Sequence, residues 1–154
     1  MCEYCGCQSL PAIAELTAEH DRIVDLIGQV RVADRRGDIE DMIELCRGIS
    51  AVLGPHTLVE EHGLFPAMAT EFPEPIAILE AEHRRIEVVL GEASDATART
   101  DPTWPARLID VLTLLREHIF KEQDGVFPAA LSTLSTAQWD RVGEVRDAAA
   151  VSPR

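Results

Sequence analysis

The sequence predicts an all-α chain, an antiparallel up-down four-helix bundle with a short C-terminal fifth helix. Three observations predict it. Long stretches are rich in Ala, Leu, Ile, Glu and Arg, while aromatic residues make up only 5% of the chain, and such stretches favour helices. Apolar residues recur three and four apart in four separate segments, the period of a helix with one buried face. Two of those segments repeat the other two at nearly one offset, so the chain reads as two helical hairpins related by an approximate two-fold axis. At 154 residues this is one domain, large enough to bury roughly 70% of its unfolded surface.

Helix punctuation places each element. The first helix runs from about Ser9, a capping residue with Pro11 in the first turn, to Gly37. The second starts at Asp38 and reaches roughly Thr70, with a bend near Pro55, whose nitrogen cannot donate a helical hydrogen bond. The segment Phe72-Pro73-Glu74-Pro75 breaks it, and the third covers about Pro75 to Ser94. Asp101-Pro102 reads as a cap followed by a first-turn proline, opening a fourth helix to about Leu134. Ser135-Thr136-Ala137-Gln138 reads as a capping box for the short fifth helix, and Val151 onward is expected to fray. The chain thus divides into a cysteine-containing leader (1–8), the bundle (9–134) and a C-terminal helix and tail (135–154).

Charge and cysteines narrow the partners. A net charge of −13 argues against nucleic acid and anionic membrane, which both need a basic footprint. No apolar run reaches the ~18–20 residues of a membrane span, and no signal-peptide pattern opens the chain. The expected setting is the cytoplasm, as a monomer or weak homodimer. There, Cys2, Cys5, Cys7 and Cys46 are not a disulfide framework. The three leader thiols read as a packed or disordered segment, with soft-metal or redox use as the alternative. Cys46 reads as a small core residue, and Trp104 and Trp139 as packing anchors.

The repeat carries the chemistry. Ala-Glu-His-Asp-Arg-Ile (18–23) recurs as Ala-Glu-His-Arg-Arg-Ile (81–86). His-Thr-Leu-Val-Glu-Glu-His-Gly-Leu-Phe-Pro (56–66) recurs as His-Ile-Phe-Lys-Glu-Gln-Asp-Gly-Val-Phe-Pro (118–128). Every apolar stripe is interrupted near its middle by a histidine: His20, His56, His83 and His118. Three stripes add a glutamate one turn later: Glu60, Glu87 and Glu122. A lone core histidine is ordinary, and a lone His-x-x-x-Glu is usually a surface pair. Buried carboxylates without partners are costly, and these stripes contain no Lys or Arg. A di-cation at the bundle centre satisfies all of them together. Imidazole and carboxylate without thiolate suit iron, manganese or zinc. Seven donors exceed one tetrahedral zinc and fit two six-coordinate irons with one open position. Glu61 reads as solvent-facing or as a hydrogen-bond acceptor behind the metal, and His62 and its counterpart Asp124 as surface residues. A ferritin-like di-iron site would need two Glu-x-x-His motifs; only Glu80-x-x-His83 is present, and Glu80 falls off the stripe.

These residues resemble the hemerythrin HHE cation-binding family over roughly 9–134, down to the Phe-Pro that follows each His-x-x-x-Glu. The resemblance implies terminal ligation by the four histidines, bridging by Glu60 and Glu122, and a di-iron pair with an oxo or hydroxo bridge. The expected small-molecule partners are dioxygen, peroxide and nitric oxide. Respiratory members carry a second histidine where this chain has Glu87. Their fourth-helix carboxylate is an aspartate where Gln123 stands here, with Glu122 one place earlier. Fewer imidazoles and more carboxylate favour the ferric state, so peroxide removal is favoured over reversible oxygen carriage. Similar His/Glu mixtures occur in mycobacterial-type hemerythrin-like proteins with catalase-like activity. The alternative is a non-enzymatic oxygen, nitric oxide or iron binder.

Overall fold

The computed structural model describes residues 9–151, and these are almost entirely helical, with no strand among them. The leader with Cys2, Cys5 and Cys7 lies outside the described residues. Helix α1 spans Ser9–Arg35. Its end is set by Gly37 at φ 68°, with Asp38 N–H on Ala33 O and Gly37 N–H on Asp34 O. This closure needs a left-handed residue, and glycine takes it without a Cβ penalty.

Helix α2, Ile39–Val59, is capped as expected, the Asp38 carboxylate accepting from Asp41 N–H. Where one continuous helix is expected to Thr70, the structure inserts a π turn at Glu60–Leu64 and resumes as α3, Phe65–Ala69. Phe65 N–H reaches back five residues to Glu60 O. In a regular helix the Pro66 ring would strike the carbonyl four residues earlier, and a widened turn makes the room. Helix α4, Pro73–Gly91, starts two residues before the expected Pro75 and ends in a 3₁₀ turn, Glu92–Ser94. A one-turn helix α5, Thr97–Thr100, fills the link.

Helix α6 is Trp104–Lys121, followed by a second π turn, Glu122–Val126, and α7, Phe127–Thr133. The expected Asp101-Pro102 helix start is corrected: the Asp101 carboxylate accepts from Thr103 N–H and Oγ in a turn before the helix, and Pro105 is its early proline. The capping box is present in full, Ser135 N–H on Gln138 Oε1 at 2.8 Å and Gln138 N–H on Ser135 Oγ at 3.2 Å. The helix it opens, α8, is not short. It runs Thr136–Val151 and lies against the first π turn, α2 and α1.

Among the long helices, α1 packs on α2 and α6, and α4 packs on the same two. The apolar core forms two layers. One contains Ile23, Ile27, Ile49, Ile86, Leu112 and Leu115 together with Cys46 and Trp104. The other holds Leu16, Leu64, Phe65, Leu79, Phe127 and Trp139. Each fully buried side chain of this kind contributes about 1.5–3 kcal/mol, enough for the two layers to hold a polar level between them. Burial pushes the Cys46 thiol up to about 12, so it stays a neutral packing group. No helix among the described residues is long and apolar enough to cross a membrane.

Candidate metal centre

Between the apolar layers lie six side chains from the four long segments. His20 comes from α1, His56 from α2, His83 from α4 and His118 from α6, and each is only about 1% exposed. Glu60 and Glu122 open the two π turns and are fully buried. Glu122 sets one oxygen 2.9 Å from His20 Nε2 and the other 3.2 Å from His118 Nε2. Glu60 does the same between His56 Nε2, 3.2 Å, and His83 Nε2, 3.3 Å. Two tetrads result, His20-His56-Glu60-Glu122 and Glu60-His83-His118-Glu122, each with donor atoms within 4.8 Å of one another. Both carboxylates belong to both tetrads.

Despite those distances the inner atoms are poorly aligned with one another. Nε2 of His20, His83 and His118 and all four oxygens of Glu60 and Glu122 are buried without a hydrogen-bond partner. A cation in each tetrad would satisfy them; buried polar atoms otherwise carry a desolvation cost of about 1–3 kcal/mol each. The electrostatics agree. Burial alone would raise the Glu60 carboxyl, but the imidazoles of His56 and His83 outweigh it and hold it well below the carboxylate range. Burial alone would lower His56, yet the Glu60 carboxylate and the Glu19 hydrogen bond push it up to about 10. His83 is pushed up to about 9 against the same burial penalty, by Glu60 and Glu61. This donor set draws positive charge, as protons or as metal.

A second ring of side chains orients the first. His56 Nδ1–H donates to Glu19 (2.9 Å), His83 to Glu61 (2.6 Å), His118 to Glu82 (3.0 Å) and His20 to Gln123 (2.9 Å). A proton is assigned to each Nδ1 because its partner there, a carboxylate or amide oxygen, can only accept. The acceptors run round the bundle, each helix holding the histidine of the next. Cations lock three of them. Arg146 of α8 grips Glu19 through both nitrogens at 2.7 and 3.2 Å, Arg84 reaches Glu61 at 2.6 Å, and Lys121 reaches Glu82 at 2.6 Å. Burial raises Glu19, but His56 and Arg146 together bring it down to about 2. The two Phe-Pro motifs add a rigid face: Phe65 stacks on His83 and Phe127 on His20, with centroids 5.8 and 5.5 Å apart.

The structure thus brings together six of the seven expected residues: His20, His56, Glu60, His83, His118 and Glu122. Glu87 is a correction. Its side chain is 45% exposed and pairs with Arg84 at 3.2 Å. From His83 the buried stripe continues through Ile86 and Leu90, which leaves the position one turn on at the surface. Glu61 accepts a hydrogen bond, one of its two expected roles, and His62 and Asp124 are exposed. Sequence reasoning missed Glu19, Glu82 and Gln123 as acceptors and Arg146 as a clamp. The signal for the acceptors was present, since each is the immediate neighbour of an inner residue within the repeat. For Arg146 there was none.

A sequence model described as the Hemerythrin HHE cation binding domain matches residues 12–130. No curated protein and no solved structure matches the chain.

Proposed function

Given that the chain belongs to the hemerythrin HHE cation-binding family, we propose that it is a non-haem di-iron protein whose metal pair reacts with dioxygen or peroxide. The observation that carries this reading is the pair of buried tetrads sharing Glu60 and Glu122. His20 and His56 would hold one ion, His83 and His118 the other, with both glutamates bridging. Two irons supply two one-electron changes, which suits a two-electron substrate. The four donors of each tetrad would leave room at a bound ion for a small molecule. The chain's own part is to fix the donors, exclude water by the two apolar layers, and tune the imidazoles. Carboxylate acceptors on three of the four Nδ1–H groups raise ligand basicity, and stronger anionic donation favours the ferric state. Peroxide removal therefore remains the favoured activity, although Glu87, the expected reason for it, is not among the six.

The four long segments fit an up-down bundle, because the connections 36–38 and 70–72 are too short to cross it. In this reading residues 9–134 are the working unit, α8 braces it, and the protein is cytoplasmic.

The test is to load the protein with ferrous iron anaerobically, measure stoichiometry, then follow the optical spectrum on adding oxygen, peroxide and nitric oxide. Two irons per chain and turnover of peroxide are expected. Binding well below two irons sinks the di-iron centre. Repeated release of intact oxygen with no peroxide consumption would replace the enzyme with a binder.

A further inference from the structure

The inner six residues obey the internal two-fold repeat, but the ring behind them does not. Glu61 and Gln123 are counterparts in the repeat, as are Arg84 and Asp21. In one corner a carboxylate clamped by a guanidinium receives His83 Nδ1–H at 2.6 Å. In the corresponding corner a neutral amide receives His20 Nδ1–H at 2.9 Å, and the residue in Arg84's place is an acid. Asp21, Gln123 and Arg116 together line a surface hollow of about 240 Å³, so a carboxylate at 123 would meet an acid where Glu61 meets Arg84, with Arg116 the cation of that hollow. Exposure differs too. Glu19, Glu61 and Glu82 are 12–14% exposed, whereas Gln123 is open to solvent.

An acceptor behind a ligating histidine fixes its ring and raises its donor strength, and altering that partner changes metal affinity by about 10–100-fold. A charged acceptor does this more strongly than a neutral one. His83 and His118 both have carboxylates behind them, each held by a cation. His20 has an amide.

We propose that the two metal positions are unequal and that Gln123 is the positioning residue that makes them so, the His83/His118 position binding more tightly than the His20/His56 position. The inference rests on the two-metal reading above and adds an order of filling to it. One ion is retained when metal is scarce, and the second is the exchangeable one, at the corner nearest solvent.

The experiment is titration of metal-free protein with Co(II) against a competing chelator, following the visible absorption of the bound ion. Wild-type protein should take two cobalt ions in two steps separated by about 10–100-fold in affinity. The double variant Asp21→Arg with Gln123→Glu recreates the opposite corner and should bring the steps to within a few-fold. Glu61→Gln should weaken the tighter step and leave the looser one in place. Fewer than two cobalt ions in wild type would defeat the two-metal reading itself. Two ions bound with one affinity, a separation unchanged in the double variant, or a Glu61→Gln effect on the looser step would overturn the inference alone. Thermal unfolding of each metal-free variant checks that the fold is kept.

Discussion

The first helical pair, α1 with α2, and the second, α4 with α6, present the same inner atoms and obtain their support differently. In the second pair the cation behind Glu82 is Lys121, three residues after His118 on the same helix. The repeat position of Lys121 in the first pair is Val59, and the cation behind Glu19 arrives from α8 as Arg146. That helix also presses on the first pair: a Cβ on Gly63 would meet Val142 Cα at 3.2 Å, while one on Gly125 meets nothing within 4 Å. On the uncovered side, Gly125 and Val126 line an apolar cavity of about 310 Å³ with Met68, Phe72 and Leu79. The difference teaches where the constraint lies. The inner donors converge on two tetrads that share both glutamates and so are fixed in type and place. The outer groups need only deliver an acceptor or a charge, and any element within reach can deliver it.

The largest expected effect should be the same in both pairs. Glu60→Ala and Glu122→Ala each remove an oxygen from both tetrads, so each should reduce iron from two per chain to below one by elemental analysis. A variant that keeps both irons would show that the two glutamates are not equivalent. Next comes pH. The folded-state values of His56 and His83 are raised from 6.5 to about 10 and about 9. The stabilisation they provide in metal-free protein is complete below pH 6.5 and is lost as pH rises through 9 and then 10. The unfolding midpoint of metal-free protein should therefore fall over that window, and that of the loaded protein should not follow it.

The pairs should then separate. Gly63→Leu forces a side chain against the α8 backbone and should cost about 1–3 kcal/mol, whereas Gly125→Leu enters open space and should cost less than about 0.5 kcal/mol; urea unfolding measures both. Smaller still, Arg146→Ala and Lys121→Ala each remove a partly exposed clamp worth about 0.2–1 kcal/mol. Only Arg146→Ala should also loosen α8, seen as faster amide exchange there. Equal protection of α8 in the two variants would show that Arg146 does not tie α8 to the first pair. Last, Glu87→Ala should leave iron content unchanged and stability within about 0.5 kcal/mol; lost iron would restore Glu87 to the site.

Much of this was legible in the sequence because periodicity and repetition carry it. The stripes Leu16-His20-Ile23 and Leu115-His118-Glu122 place their histidines on buried faces without any tertiary knowledge. Glu87 misled because a residue four positions on from a stripe residue can lie at either edge of the stripe, and Ile86 took the inner edge. The π turns were hidden because an i to i+5 bond leaves no compositional trace beyond the Phe-Pro after it. Arg146 was hidden because its partner lies more than a hundred residues away, on a helix whose own pattern says nothing about metal.

The circular order of the outer acceptors has a consequence for symmetry. A hairpin carrying only the first half of the ring would leave His20 without its acceptor and Glu61 without its histidine. Two identical hairpins could close the circle as a homodimer, but each position would then be used twice, with the same residue at both corners. A single continuous chain is released from that restriction. It can place Glu61 and Arg84 at one corner and Gln123 and Asp21 at the other, and recruit one further helix for one side alone.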